Sequence, residues 1–214
     1  MIGSQATPFT GSFDGGDFTI TLAINTGESH VGLFRRTNGA TLSNIGVIGS
    51  ISGDNFVGGL VGADDGSSIT NSYVLGDISG GDYVGGLVGY ASYGANITSS
   101  YASGNVEGND QVGGLVGAAG YDTIITNSYA LGDASGNDQV GGLVGYLDSD
   151  SAITDSFALG DASGNNQVGG LVGYASYGAN ITSSYASGNI EGNVRVGGLV
   201  GYAYIIDISN SYVL

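Results

Sequence analysis

The sequence contains no cysteine, no tryptophan and no lysine, and it has one proline and one histidine. Without cysteine there are no disulfides and no thiolate metal sites, and the redox compartment stays open. Three cations, Arg35, Arg36 and Arg195, stand against 19 acidic residues, for a net charge of −16. That balance offers no footprint for phosphate, so neither nucleic acid nor an anionic membrane is an expected partner. No apolar run approaches the roughly 20 residues of a membrane span, and membrane insertion is not expected. Met1-Ile2-Gly3-Ser4-Gln5 shows neither the charged nor the apolar region of a signal peptide, and the last residues fall in the middle of a repeat. The expectation is a piece of a larger secreted protein, located outside the cell or at its surface. The alternative is a subunit whose open end a neighbour covers.

What is abundant is glycine, 43 of 214 residues, without the G-X-Y period of collagen. The apolar share of 41 % is too high for a disordered chain, so a core is being buried. The arrangement is periodic. The hexapeptide VGGLVG begins at Val57, Val84, Val112, Val140, Val168 and Val196, a first step of 27 residues followed by steps of 28. Ile69-Thr70-Asn71-Ser72-Tyr73 and its equivalents, ending at Tyr101, Tyr129, Phe157, Tyr185 and Tyr212, keep the same rhythm. So do Gly76-Asp77-Ile78 and its copies. Residues 1–56 read as degenerate coils that cap the array, with Val31-Gly32-Leu33-Phe34 in place of the hexapeptide, and residues 57–214 as the regular repeats of one continuous domain.

Glycine at this density would cost a helix about 1 kcal/mol per site relative to alanine, and no window keeps a helical spacing. Three short β-rich pieces, punctuated by Gly, Asn, Asp and Ser, fill each repeat. The expected fold is all-β: a parallel β-solenoid of about seven coils, about 28 residues and three short strands per coil, roughly 30–35 Å long at the spacing of paired strands. A right-handed winding follows from the usual rule for parallel crossovers. Identical residues then stack in columns, and the mixed row Asp77, Asn105, Asp133, Asp161, Asn189 relieves the self-repulsion of a pure Asp column.

The tandem VGGLVG followed by I-T-(N/S)-S-Y resembles the GLUG motif over about residues 31–214, and the stretch from Phe9 to Gly15 resembles what often precedes such arrays. The resemblance implies a surface or secreted protein of adhesin-like type. Some metallopeptidases that cleave immunoglobulin A also carry the motif, but their activity belongs to a zinc domain with H-E-x-x-H, which is absent here. The motif itself brings no catalytic or binding residue.

Two questions of facing remain open in the sequence. Strict alternation in VGGLVG leaves the Leu60, Leu87, Leu115, Leu143, Leu171, Leu199 row outside, as a Leu/Val stripe for lateral pairing, unless a bend at the Gly-Gly pair turns it into the core. In the second motif, one parity exposes Thr70, Thr98, Thr126, Thr154 and Thr182 with Ser128 and Ala130. The other, with a corner at Asn127, buries Ser128 and Ala130 and exposes Tyr73, Tyr101, Tyr129, Phe157, Tyr185 and Tyr212. An aromatic row is a candidate sugar platform, and a regular Thr row a candidate ice-binding face, although no strict T-x-T array is present. Self-association through open coil ends is a further expected partnership.

No catalytic constellation is expected, and the chain reads as non-enzymatic. His30 lies in the irregular first coils beside Glu28. The carboxylates Asp110, Asp133, Asp138, Asp148, Asp150 and Asp161 recur with the repeat at turn positions, where backbone geometry favours Asp. Calcium at Asn109-Asp110, Asn137-Asp138 or Asp148-Ser149-Asp150 is weighed against plain turn chemistry, which is preferred, so no cofactor is expected. Arg35 and Arg36 are expected to balance local charge.

Overall fold

The computed structural model describes residues 1–214 as 36 short strands in five sheets, with no helix. One interior coil shows the plan. From Val116 the chain makes strands Val116–Ala119, Ile124–Thr126, Tyr129–Ala130, Ala134–Ser135 and Asp138–Gly141. Each strand pairs in parallel with its copy in the coils before and after. The resulting sheets are named here by what they carry: the valine sheet of seven strands, the threonine and tyrosine sheets of eight each, the acidic sheet of seven and the glycine sheet of six.

The register is unbroken. Val57, Val84, Val112, Val140, Val168 and Val196 pair in sequence, as do Ile69, Ile97, Ile125, Ile153, Ile181 and Ile208. The solenoid and its period are therefore as the sequence indicates, but each coil has five strands rather than three. The difference has two causes. The Gly-Gly pair splits the hexapeptide into the ends of two strands. A corner at Asn127 splits I-T-N-S-Y into two more. Residues at that corner, Asn71, Ser99, Asn127, Asp155, Ser183 and Asn210, all have φ between 48° and 51°, the left-handed region that Asn and Asp tolerate best.

The bend at Gly-Gly settles the first question of facing. Val112, Leu115 and Val116 are all fully buried, as are their copies in the other interior coils. The Leu row lines the core and forms no outer stripe, so lateral pairing through a Leu/Val row is ruled out as a route to self-association. Both glycines of the pair are demanded by close approach. At Gly86, for example, a Cβ would lie 2.6 Å from the Cβ of Ala102 across the core. Opposite this bend the core is filled by small residues, Ala102, Ala130, Ala158 and Ala186, all at most 1 % exposed. The whole interior is one cluster of 42 buried apolar residues running the length of the rod.

The first 56 residues continue the same sheets. Ser12–Asp14, Thr19–Thr21 and Ile24–Asn25 add outer strands to the threonine, tyrosine and acidic sheets. Over the valine sheet, Ile2 bridges Phe34 and Phe9 bridges Thr37. The rings of Phe9 and Phe13 pack on Phe34 at 5.1 and 5.6 Å between centroids and close that end of the core.

A buried hydroxyl column stiffens the Asn127 corner. Ser128 Oγ donates to the Thr126 carbonyl at 2.8 Å and accepts the backbone N–H of Ser100 from the preceding coil at 3.2 Å. Ser72, Ser100, Ser156 and Ser184 repeat the pattern. Removing the Ser128 hydroxyl orphans the buried N–H of Ser100, while the Thr126 carbonyl keeps the N–H of Ser99 at 3.1 Å. Ser128→Ala is therefore expected to lower stability by about 2 kcal/mol, read as a shift of the urea midpoint at unchanged slope.

Candidate binding faces

The corner at Asn127 also settles the second question. Ser128 and Ala130 are buried, and the aromatic row points outward. The Thr row points outward as well, because it lies on the neighbouring sheet with Ile125 between it and the core. The two rows therefore occupy adjacent faces, and neither excludes the other.

On the tyrosine face the rings stack on one another. Tyr73–Tyr101, Tyr101–Tyr129, Tyr129–Phe157, Phe157–Tyr185 and Tyr185–Tyr212 have centroids 5.2, 4.9, 4.8, 5.0 and 5.5 Å apart, with planes within 10° of parallel. This is the spacing of the strands themselves. Each interior ring therefore gives both faces to its neighbours and shows solvent an edge and, for Tyr, a hydroxyl. The column starts at Gly46, where a Cβ would run into the Tyr73 ring at 2.6 Å. Burial, followed by the neighbouring Tyr129 and Tyr73 hydroxyls, pushes the Tyr101 hydroxyl above its ordinary pKa. A sugar needs an open ring face to stack on, and within the column only the end rings are not sandwiched between two aromatic rings: Tyr73, whose outer face lies against Gly46, and Tyr212, which is 52 % exposed.

On the threonine face, Thr70, Thr98, Thr126, Thr154 and Thr182 pair in register and are half-buried. The second outward row of that sheet is irregular: Ser68, Asn96, Ile124, Ala152, Asn180, Asp207.

The acidic sheet carries a shallow groove of about 390 Å³ lined by Asn105, Glu107, Asp133, Asp161, Asn189 and Glu191, among others. Its Asp/Asn row has a backbone task. Asp77 Oδ1 accepts the N–H of Asn105 at 2.9 Å, Asn105 Oδ1 that of Asp133 at 3.1 Å, Asp133 Oδ1 that of Asp161 at 2.9 Å, and Asp161 Oδ1 that of Asn189 at 2.7 Å. Asp and Asn serve equally as acceptors, which is why the row mixes them.

The remaining carboxylates are dispersed. Asp148 accepts from Tyr146 Oη at 3.0 Å, Ser149 N at 2.7 Å and Ser176 Oγ at 3.0 Å. Burial and the bond to Asp148 together push the Tyr146 hydroxyl up to about 12. Asp110 and Asp138 pair in register on the glycine sheet, and Asp110 is pushed up by burial and then by Asp82 and Asp138. No three His, Asp or Glu side chains gather at a point where they could hold one metal ion. His30 stacks on Phe56 at 4.7 Å, and its pKa is lowered by burial and then by Arg36. Arg35 pairs with Glu28, and Arg36 with Asp65 at 2.6 Å, so both arginines balance charge within the chain.

One polar group is not anticipated by motif. Asp64 is fully buried inside the solenoid. Its Oδ1 accepts from Thr37 Oγ1 at 2.6 Å and from Ser67 N at 3.3 Å, while Oδ2 has no partner. Burial pushes its pKa up to about 6. The signal was available in the period, since Asp64 stands in register with Ala91 of the next coil.

Compared with known proteins, the chain is matched by one family description, the GLUG motif, at residues 56–79, 80–107, 108–135, 136–163, 164–191 and 192–214. It matches no curated protein and no solved structure.

Proposed function

Because this chain belongs to the GLUG-motif family, we propose that its repeats work as a stiff, non-enzymatic spacer in a protein displayed at or beyond the cell surface. The observation that carries the reading is the unbroken parallel register of the sheets, up to eight strands deep, from the outer strand Ser12–Asp14 to Asp207–Ser209. Backbone hydrogen bonds run along the rod, and every coil buttresses only its two neighbours, which favours transmission of position over chemistry at a point. The net charge of −16 suits an exposed, soluble surface. In this reading the module needs no cofactor, and the outward tyrosine and threonine rows serve packing and solvation.

The test is excision of two whole coils, residues 112–167. A spacer keeps its fold and shortens by about 10 Å, read as maximum dimension by small-angle X-ray scattering. Loss of the fold on excision, or specific retention of the intact chain on a glycan array, overturns the spacer reading. Antibody staining of unpermeabilised cells that make the protein tests its display.

A second reading is end-to-end stacking. In the last coil the core-forming positions Val196, Ile208 and Val213 are 44–45 % exposed, a surface shaped to take a further coil, whether from more repeats or from another copy. Mass from the same scattering curves, rising with concentration, would support stacking of copies; a constant monomer mass would end it.

A further inference from the structure

Two coils differ from the rest on the threonine face. Their near-identical stretches each contain Asn-Ile-Thr, at Asn96-Ile97-Thr98 and Asn180-Ile181-Thr182. No other asparagine of the chain has Ser or Thr two residues on. Asn71, Asn127 and Asn210 have Ser as the very next residue and are used up in the left-handed corner.

Strand geometry decides what the tripeptide presents. Ile97 and Ile181 are fully buried, so the residues on either side point outward together. In both copies the Thr Oγ1 donates to the Asn Oδ1 at 2.7 Å. The hydroxyl engages the carboxamide oxygen, while Nδ2 makes no hydrogen bond within the protein. Asn180 is exposed and Asn96 half-buried at the surface. Their in-register neighbours are Ser68 and Ile124 around Asn96, and Ala152 and Asp207 around Asn180.

We infer that Asn96 and Asn180 are acceptors for N-linked glycans. The inference rests on the proposed display outside the cell. The donor is an oligosaccharide carried on a lipid- or nucleotide-linked diphosphate. Nδ2 attacks its anomeric carbon and the C–N bond forms. The bond from that carbon to the diphosphate oxygen breaks, and the diphosphate leaves with the electron pair. The amide proton passes to a carboxylate of the transferring enzyme. Transfer takes place on the extended chain before the sheet closes, and the folded rod then holds both sugars on one face, three coils or about 14 Å apart. They cover Thr98 and Thr182 and withdraw that face from any role as a regular, bare surface.

The experiment is site mapping by mass spectrometry with electron-transfer fragmentation, on protein isolated from the surface fraction of cells that make it. Hexose- or hexosamine-bearing peptides are expected at Asn96 and Asn180 and not at Asn71, Asn127 or Asn210. Thr98→Ala should remove the first glycopeptide alone, Thr98→Ser should retain it, and Asn96→Gln should remove it. Surface protein with both asparagines bare overturns the inference and leaves the display reading standing. Protein found only in the cytoplasm and bare overturns both.

Discussion

Gly132→Ala is expected to destabilise the rod by about 3 kcal/mol, although Gly132 is only half-buried and does not have a positive φ. The reason is a column of contacts along the axis. A Cβ at Gly132 would collide with the carbonyl oxygen of Gly104 in the preceding coil, with the Gly104 carbonyl carbon 2.5 Å away and Asn105 N 3.0 Å away. The same holds for Gly104 on Gly76, Gly160 on Gly132 and Gly188 on Gly160. These atoms are all backbone, so no side chain can swing aside. Relief requires the two coils to part, and parting breaks the bond from Asp133 N to Asn105 Oδ1 as well. Gly120 is the control, since nothing lies within 4 Å of its Cβ position, and Gly120→Ala should stay within about 0.5 kcal/mol of the parent. Urea unfolding of the two variants reads the difference directly. Equal midpoints would mean that the coils are not held at strand spacing at this corner.

The second large effect is a pH dependence centred on Asp64. A buried carboxyl whose pKa is raised to about 6 from 3.8 binds its proton more tightly in the folded chain than in the unfolded one. Below pH 4 both states are protonated and the rod has its full stability. Between about 4 and 6 the unfolded state ionises first and stability falls. Above 6 a constant penalty remains, about 3 kcal/mol for a shift of about two units. Asp64→Ala reproduces the Ala91 of the next coil and removes both the charge and the unpaired Oδ2. It should raise stability at pH 7.5 by about 2 kcal/mol, less than the full penalty because Thr37 Oγ1 loses its acceptor. It should also flatten the profile between pH 4 and 7. Asp65, paired with Arg36, lies close enough to add to the shift but shares its charge with the guanidinium. A variant that keeps the parent's fall between pH 4 and 7 would assign that fall to other groups, Asp110 first among them.

The period alone made the solenoid legible, because a repeat that never breaks register must stack like on like. The facing of the rows was legible only as alternatives. Alternation along VGGLVG cannot reveal that Gly114 and Leu115 bend, where a Cβ at the second glycine would lie 2.8 Å from the Cβ of Ala130 in the alanine column across the core. Likewise, nothing in I-T-N-S-Y says that Asn127 takes a left-handed φ of 49° and so divides one strand into two outward faces. The Asp/Asn row was visible as a pattern of charge. Its use as an acceptor for the next coil's N–H needed the third dimension, as did the sandwiching of every interior ring of the tyrosine row. Asp64 was legible in principle, as the one acid in a column that also holds Thr37, Ala91, Ala119, Leu147 and Ala175, but that Thr37 and Ser67 satisfy only its Oδ1 needed the structure.

The hydrogen bonds that join the coils all run lengthwise, and this gives the rod a particular response to tension. Pulled along its axis, it loads whole coils in series, each held to the next by the same parallel ladders. A coil that peels away gives up about 4.8 Å of rod and releases 28 residues that extend to about 95 Å. The same repeat is thus rigid under small forces and, beyond a threshold, extensible in equal steps, a tether with reserve length.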